Sequence, residues 1–199
     1  MDDVDGAEMI LITGHQRSGT GYMAALCRSM GLDIGHERPG DDGISSFQYA
    51  VATDTVPFHS IDQNRGRNWY HFTDIIHVVR HPLHVIASTA FTDMNGAIEW
   101  QARFVPVTAP ASHGIRRAVQ TWLGWNELIE AQTDIRVRVE DAEDELPKIL
   151  DEDVLQDPPP PTVNARPHDQ LTWSRVATAC VGDEFPRLWK MAERYGYDE

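Results

Sequence analysis

Residues 14 to 21, GHQRSGTG, place two glycines, Gly14 and Gly19, with four residues between them. That is the frame of a nucleotide phosphate loop, but the lysine that normally follows the second glycine is missing and Thr20 and Gly21 stand there instead. The loop's fixed positive charge is therefore Arg17. Successive backbone N–H groups from Arg17 through Ser18, Gly19, Thr20 and Gly21, set at a helix N-terminus, form a concavity where the helix dipole adds to the hydrogen bonds. Such a cradle selects a phosphate or a phosphosulfate. An ordinary strand-to-helix turn containing two glycines is the competing reading, and Arg17 and Thr20 favour binding. His15 and Gln16 lie inside the loop and count among its ligand contacts, His15 as a structural residue or phosphate contact rather than a base.

A second anion site is read from Arg80-His81-Pro82 and from Ser88, eight residues after Arg80. Arg80 leaves the carboxyl end of a strand, where parallel sheets bind ligands, and Ser88 lies about 9 Å along the following helix. Arg by its charged fork and Ser by its hydroxyl suit a second phosphate. An arginine capping a sheet edge and a solvent-facing serine are the alternative.

The elements that must position these residues can be read from periodicity. The run 9–13, MILIT, is a short buried strand that ends at the loop, and TGYMAALCRSMG carries Met23, Leu26, Cys27 and Met30 at helical spacing before a C-cap at Gly31. A second strand, 74–79, turns into a helix with Pro82 in its first turn, where the missing N–H costs nothing. A helix over 115–131 precedes a third strand at 134–139. Two further helices fall within LTWSRVATAC and FPRLWKMAERYG, and DAEDELPKILDEDV reads as a charged helical surface. Strands alternating with helices predict an α/β fold of three layers, α/β/α, around a parallel central sheet. Residues 36–70 and 92–113 lack periodicity. The segment 92–114, rich in aromatic residues and Met, is the expected acceptor pocket.

With 199 residues and a 41% hydrophobic fraction, the chain suits one domain spanning 1–199. A formal charge of −14 argues against nucleic acid or an anionic membrane as partner. The two cysteines, Cys27 and Cys180, have no metal-ligand spacing. An acidic amino terminus, unlike a secretory signal, points to a cytoplasmic protein. His77, in the second strand, reads as a satisfied core residue.

Taken together, GHQRSGTGY and VVRHPLHVIAS resemble the sulfotransferases that use 3′-phosphoadenosine 5′-phosphosulfate (PAPS). The likeness extends to RVED at 138–141, which is similar to that family's Tyr-Glu-Asp, and to Trp122 and Trp125. The resemblance implies that the first loop holds the 5′-phosphosulfate, with Arg17 in the family's Lys or Arg position, and that Arg80 and Ser88 hold the 3′-phosphate. It implies transfer of a sulfuryl group to a hydroxyl or amine of a small-molecule or carbohydrate acceptor, with no metal required. Glu37, seventeen residues after Thr20, stands near the glutamate base of the carbohydrate and tyrosyl-protein members. His36 is its rival, since a neutral imidazole is a ready base near pH 7.

Two features depart from the family. His81 replaces its usual Asp or Asn, and the Arg-Lys-Gly loop of cytosolic members is absent. The segment 163–173, with Asn164, Arg166 and His168, is expected to fold over the nucleotide in its place. An ATP-dependent P-loop kinase and a non-catalytic nucleotide-binding module are the alternative functions.

Overall fold

A computed structural model describes residues 9–57, 65–92, 95–153, 159 and 169–197. Its centre is a five-stranded sheet in the order β2-β3-β1-β4-β5, every neighbouring pair parallel. The strands are β1 (Met9–Thr13), β2 (Ile34–His36), β3 (Gly43–Ser45), β4 (Phe72–Val79) and β5 (Arg136–Arg138). The helices are α1 (Thr20–Ser29), α2 (Pro82–Phe91), α3 (Asn95–Gln101), α4 (Gly114–Glu130), α5 (Ala142–Leu150), α6 (Trp173–Ala179) and α7 (Glu184–Arg194).

The pleat sorts the strand residues between two helical layers. Ile12, Ile76, Val78 and Val137 pack on Met23, Leu26 and Cys27 of α1 and on Leu146 of α5. On the other face Val79 meets Val85 and Ile86 of α2, Val119 and Trp122 of α4, and Leu188 and Met191 of α7. The fold is thus the three-layer α/β/α arrangement expected. Among the described residues no helix is long and apolar enough to cross a membrane.

The differences from expectation lie at short elements. β2 and β3 were not anticipated, and β3 falls inside a segment read as lacking periodicity. They are parallel neighbours joined by six residues, which is short for a crossover and feasible because each strand is only three residues long. Side chains pin the returning loop: Asp33 N–H donates to Asp42 Oδ2 at 2.6 Å, and Asp41 N–H donates to Asp33 Oδ2 at 2.9 Å. β5 is shorter than the expected 134–139, because Val139–Asp141 winds into a 3-10 turn.

The segment 92–114 also differs. It contains α3, whose Trp100 stacks edge-on against Phe47 and packs on Trp125 and Phe104. Trp100 is a core residue of the cluster that holds Phe47 and Trp125, Phe104 is 38% exposed, and Ser112, His113 and Gly114 at the end of the segment line a surface pocket.

Candidate active site

β1 and β4 are adjacent and in register at Thr13 and His77, so the chains leaving them emerge side by side at the carboxyl edge of the sheet. Gly14 sits so close to the end of β4 that a Cβ there would lie 2.2 Å from the Val78 carbonyl oxygen. Two residues beyond Val78 the chain reaches Arg80. The loop closes with Ser18 N–H donating to the His15 carbonyl at 3.0 Å. Gly19 then takes φ +99° against Val139, a position that excludes a side chain both by conformation and by contact. The first hydrogen bond entering α1 runs from Met23 N–H to the Gly19 carbonyl, so the amides of Thr20, Gly21 and Tyr22 precede it. No acidic residue occupies the first turn of α1, which leaves the dipole's positive end uncompensated.

His15 anchors this loop from beneath. Its ring is fully buried, with Nδ1 2.7 Å from the Gln16 carbonyl and Nε2 3.2 Å from Thr121 Oγ1 of α4. Burial lowers its pKa to about 3, so the ring is neutral and donates from Nδ1 to the carbonyl. Of the two roles expected for His15, structural residue or phosphate contact, the structural one suits a ring whose two nitrogens are both engaged inside the protein. Gln16 is also buried, and its amide group, like the Ser18 hydroxyl, has no hydrogen-bond partner among the described residues.

Arg17 adopts φ +70°, a left-handed conformation rare for a non-glycine residue, and its Nε donates to Ser88 Oγ of α2 at 2.9 Å. The two motifs therefore touch. Ser88, expected at the second phosphate, is in this state an acceptor for the arginine of the first loop. Arg80 is partly buried and engages no hydrogen-bond or ion-pair partner among the described residues. Beyond it the RVED turn acts as a clamp. Glu140 accepts from His81 N–H at 3.2 Å and from the Tyr197 hydroxyl at 2.6 Å, and Arg138 Nη1 donates to the Gly196 carbonyl at 2.8 Å. This ties the Arg80 turn to the carboxyl-terminal end of the described chain.

The carboxyl edge of β2 brings both base candidates to the same loop. His36 Nε2 lies 3.4 Å from Thr20 Oγ1 and 3.6 Å from Glu37 Oε1. Glu37, at φ +58°, turns its other oxygen, Oε2, to Ser46 Oγ at 2.7 Å and Gln48 Nε2 at 2.5 Å, both donating. Ser45 Oγ donates to the Thr20 carbonyl at 2.7 Å, fastening β3 to the start of α1. Burial raises the Glu37 pKa against the opposing pull of the Ser46 and Gln48 bonds, while burial, followed by the charge of Arg28, lowers that of His36. Near neutral pH this pairs an uncharged imidazole with a carboxylate of increased proton affinity.

Sequence reasoning missed Ser46 and Gln48. The available signal was local: Ser46 Oγ also accepts from Gln48 N–H at 3.2 Å, capping the 3-10 turn Phe47–Ala50 as a serine before a turn commonly does. Asn164, Arg166 and His168 lie outside the described residues. Compared with protein-family models, with curated proteins and with solved structures, the chain finds no match in any of the three.

Proposed function

We propose that this chain is a sulfotransferase that moves a sulfuryl group from PAPS to a hydroxyl or amine acceptor. The observation that carries the reading is the 2.9 Å bond from Arg17 to Ser88, which joins two separately recognised anion motifs in one crevice. The donor's requirements fit the residues present. Amides at the start of α1 and Arg17 suit its phosphosulfate, and Arg80 with Ser88 suits its 3′-phosphate, which would take Ser88 over from Arg17.

Bound there, the donor would supply a sulfuryl group, its bond to the bridging phosphate oxygen breaking as a bond to the acceptor oxygen or nitrogen forms. Arg17 and the loop amides stabilise the negative charge that gathers on that bridging oxygen, an interaction strongest in the transition state. Glu37 accepts the acceptor's proton on the carboxylate oriented by Ser46 and Gln48, and the raised pKa makes it a better base than an exposed glutamate. His36, between Glu37 and Thr20, keeps a neutral contact with both.

A thermal-shift comparison tests the reading. 3′-Phosphoadenosine 5′-phosphate should raise the melting temperature more than AMP or ATP with Mg²⁺. A larger shift with ATP and Mg²⁺ would favour a kinase. Binding of the bisphosphate with no sulfuryl transfer to any acceptor would favour a non-catalytic module.

A further inference from the structure

We infer that Tyr197 is a positioning residue for Arg80: through Glu140 it fixes the turn that carries this arginine, and so governs how well the site takes the 3′-phosphate. The inference rests on the sulfotransferase reading and deepens it, assigning a residue at the far end of the described chain to the same subsite.

The chain end folds back for a local reason. Gly196 takes φ +79° after α7, and two bonds close the helix, Gly196 N–H to the Glu193 carbonyl and Tyr197 N–H to the Ala192 carbonyl, both at 2.9 Å. A left-handed glycine with this pair of bonds ends a helix and reverses its chain. Arg138 holds the reversed end, with Nη1 donating to the Gly196 carbonyl at 2.8 Å and its guanidinium carbon 5.4 Å from the centre of the Tyr197 ring. Tyr197 is left only 6% exposed.

From there Tyr197 reaches residue 81 twice. Its ring meets the His81 ring edge-on, with centroids 5.2 Å apart. Its hydroxyl donates at 2.6 Å to Glu140 Oε2, while Oε1 of the same carboxylate accepts from His81 N–H at 3.2 Å. His81 in turn caps α2, its Nδ1 accepting from Leu83 N–H at 3.3 Å. Burial, joined by the bond to Glu140, raises the Tyr197 pKa, so its hydroxyl remains a donor at neutral pH. The Arg80 side chain has no hydrogen-bond or ion-pair partner among the described residues, so the backbone at 80 and 81 sets its direction. Holding the His81 amide holds that backbone, and a guanidinium fork grips a phosphate best when it is held ready.

The test is calorimetric titration of 3′-phosphoadenosine 5′-phosphate and of AMP into the full chain as wild type, Tyr197→Phe, Glu140→Ala, Glu140→Gln, Arg80→Ala and the double variant Arg80→Ala/Tyr197→Phe. Wild type should prefer the bisphosphate. Tyr197→Phe keeps the ring and loses the hydroxyl; it should weaken the bisphosphate about fivefold, the share of one hydrogen bond, and leave AMP unchanged. Glu140→Ala should do the same at an exposed position, and it decides the matter where Tyr197→Phe fails to fold. Glu140→Gln, whose carbonyl still accepts from His81 N–H, should recover most of the loss. On the Arg80→Ala background Tyr197→Phe should cost nothing further, because its effect passes through Arg80. Equal losses for both nucleotides, additive losses in the double variant, or an unchanged preference in Tyr197→Phe and Glu140→Ala each overturns the inference and leaves the donor reading standing. A wild type that does not distinguish the two nucleotides overturns both.

Discussion

Glu37 combines three properties that rarely coincide on a structural glutamate. It has a left-handed backbone, two side-chain donors on one oxygen, and a proton affinity raised by burial. A carboxyl whose folded pKa exceeds its unfolded one favours folding below the unfolded value and loses that contribution as pH rises through the folded value. Once ionised, Glu37 is therefore a stability cost. Glu37→Gln should hold or raise the melting temperature at pH 7 while cutting turnover by about 10²–10⁴, the usual share of a general base; a variant that unfolds, or that turns over normally, refutes the assignment. Ser46→Ala removes a donor to the carboxylate, which raises the Glu37 pKa further. The acid limb of its pH–rate profile should move to higher pH, and an unmoved limb would mean that Ser46 does not act through Glu37. Arg17→Ala should lower turnover by about 10²–10³ with little change in melting temperature, checked by initial rates beside a thermal scan.

At the scale of elements, β1, the phosphate loop and α1 form one unit that was legible in the sequence. An apolar β-branched run, two spaced glycines and a helical stripe are local signals. The 74–79 strand and the helix opening at Pro82 were legible for the same reason. β2 and β3 were not, because Ile34-Gly35-His36 and Gly43-Ile44-Ser45 carry no alternation of their own and are strands only through pairing with each other and with β1. The candidate site divides in the same way. The loop could be read along the chain, whereas the Arg17–Ser88 contact spans 71 positions and the Ser46 and Gln48 contacts to Glu37 depend on how the β2–β3 loop folds back. The unit's geometry predicts that Gly19→Ala, with φ +99° and Val139 2.6 Å from the new carbon, costs about 1–3 kcal/mol. Urea denaturation should show that loss together with weakened nucleotide binding; unchanged values for both would mean the loop relaxes freely.

For the whole molecule, two buried imidazoles make stability depend on pH. Burial holds His15 at about 3 and His77 at about 4, both below the unfolded value near 6.5. Groups depressed in this way contribute stability that is complete above pH 6.5 and is lost as pH falls toward their folded values. The urea midpoint should decline steadily below pH 6.5, and His77→Gln, which keeps a neutral partner for Asn126, should make the decline shallower. A midpoint constant from pH 8 to 4 would contradict this. The order β2-β3-β1-β4-β5 has a consequence in time as well as in space. β1 cannot find its β4 neighbour until some seventy residues have been synthesised, and β5 joins only after residue 138. Pairings so remote along the chain place refolding in the millisecond-to-second range or slower rather than in microseconds. The nascent crevice should thus be assembled only after the chain through Ser88 has cleared the ribosome, when β4 and α2 can join β1 and its loop.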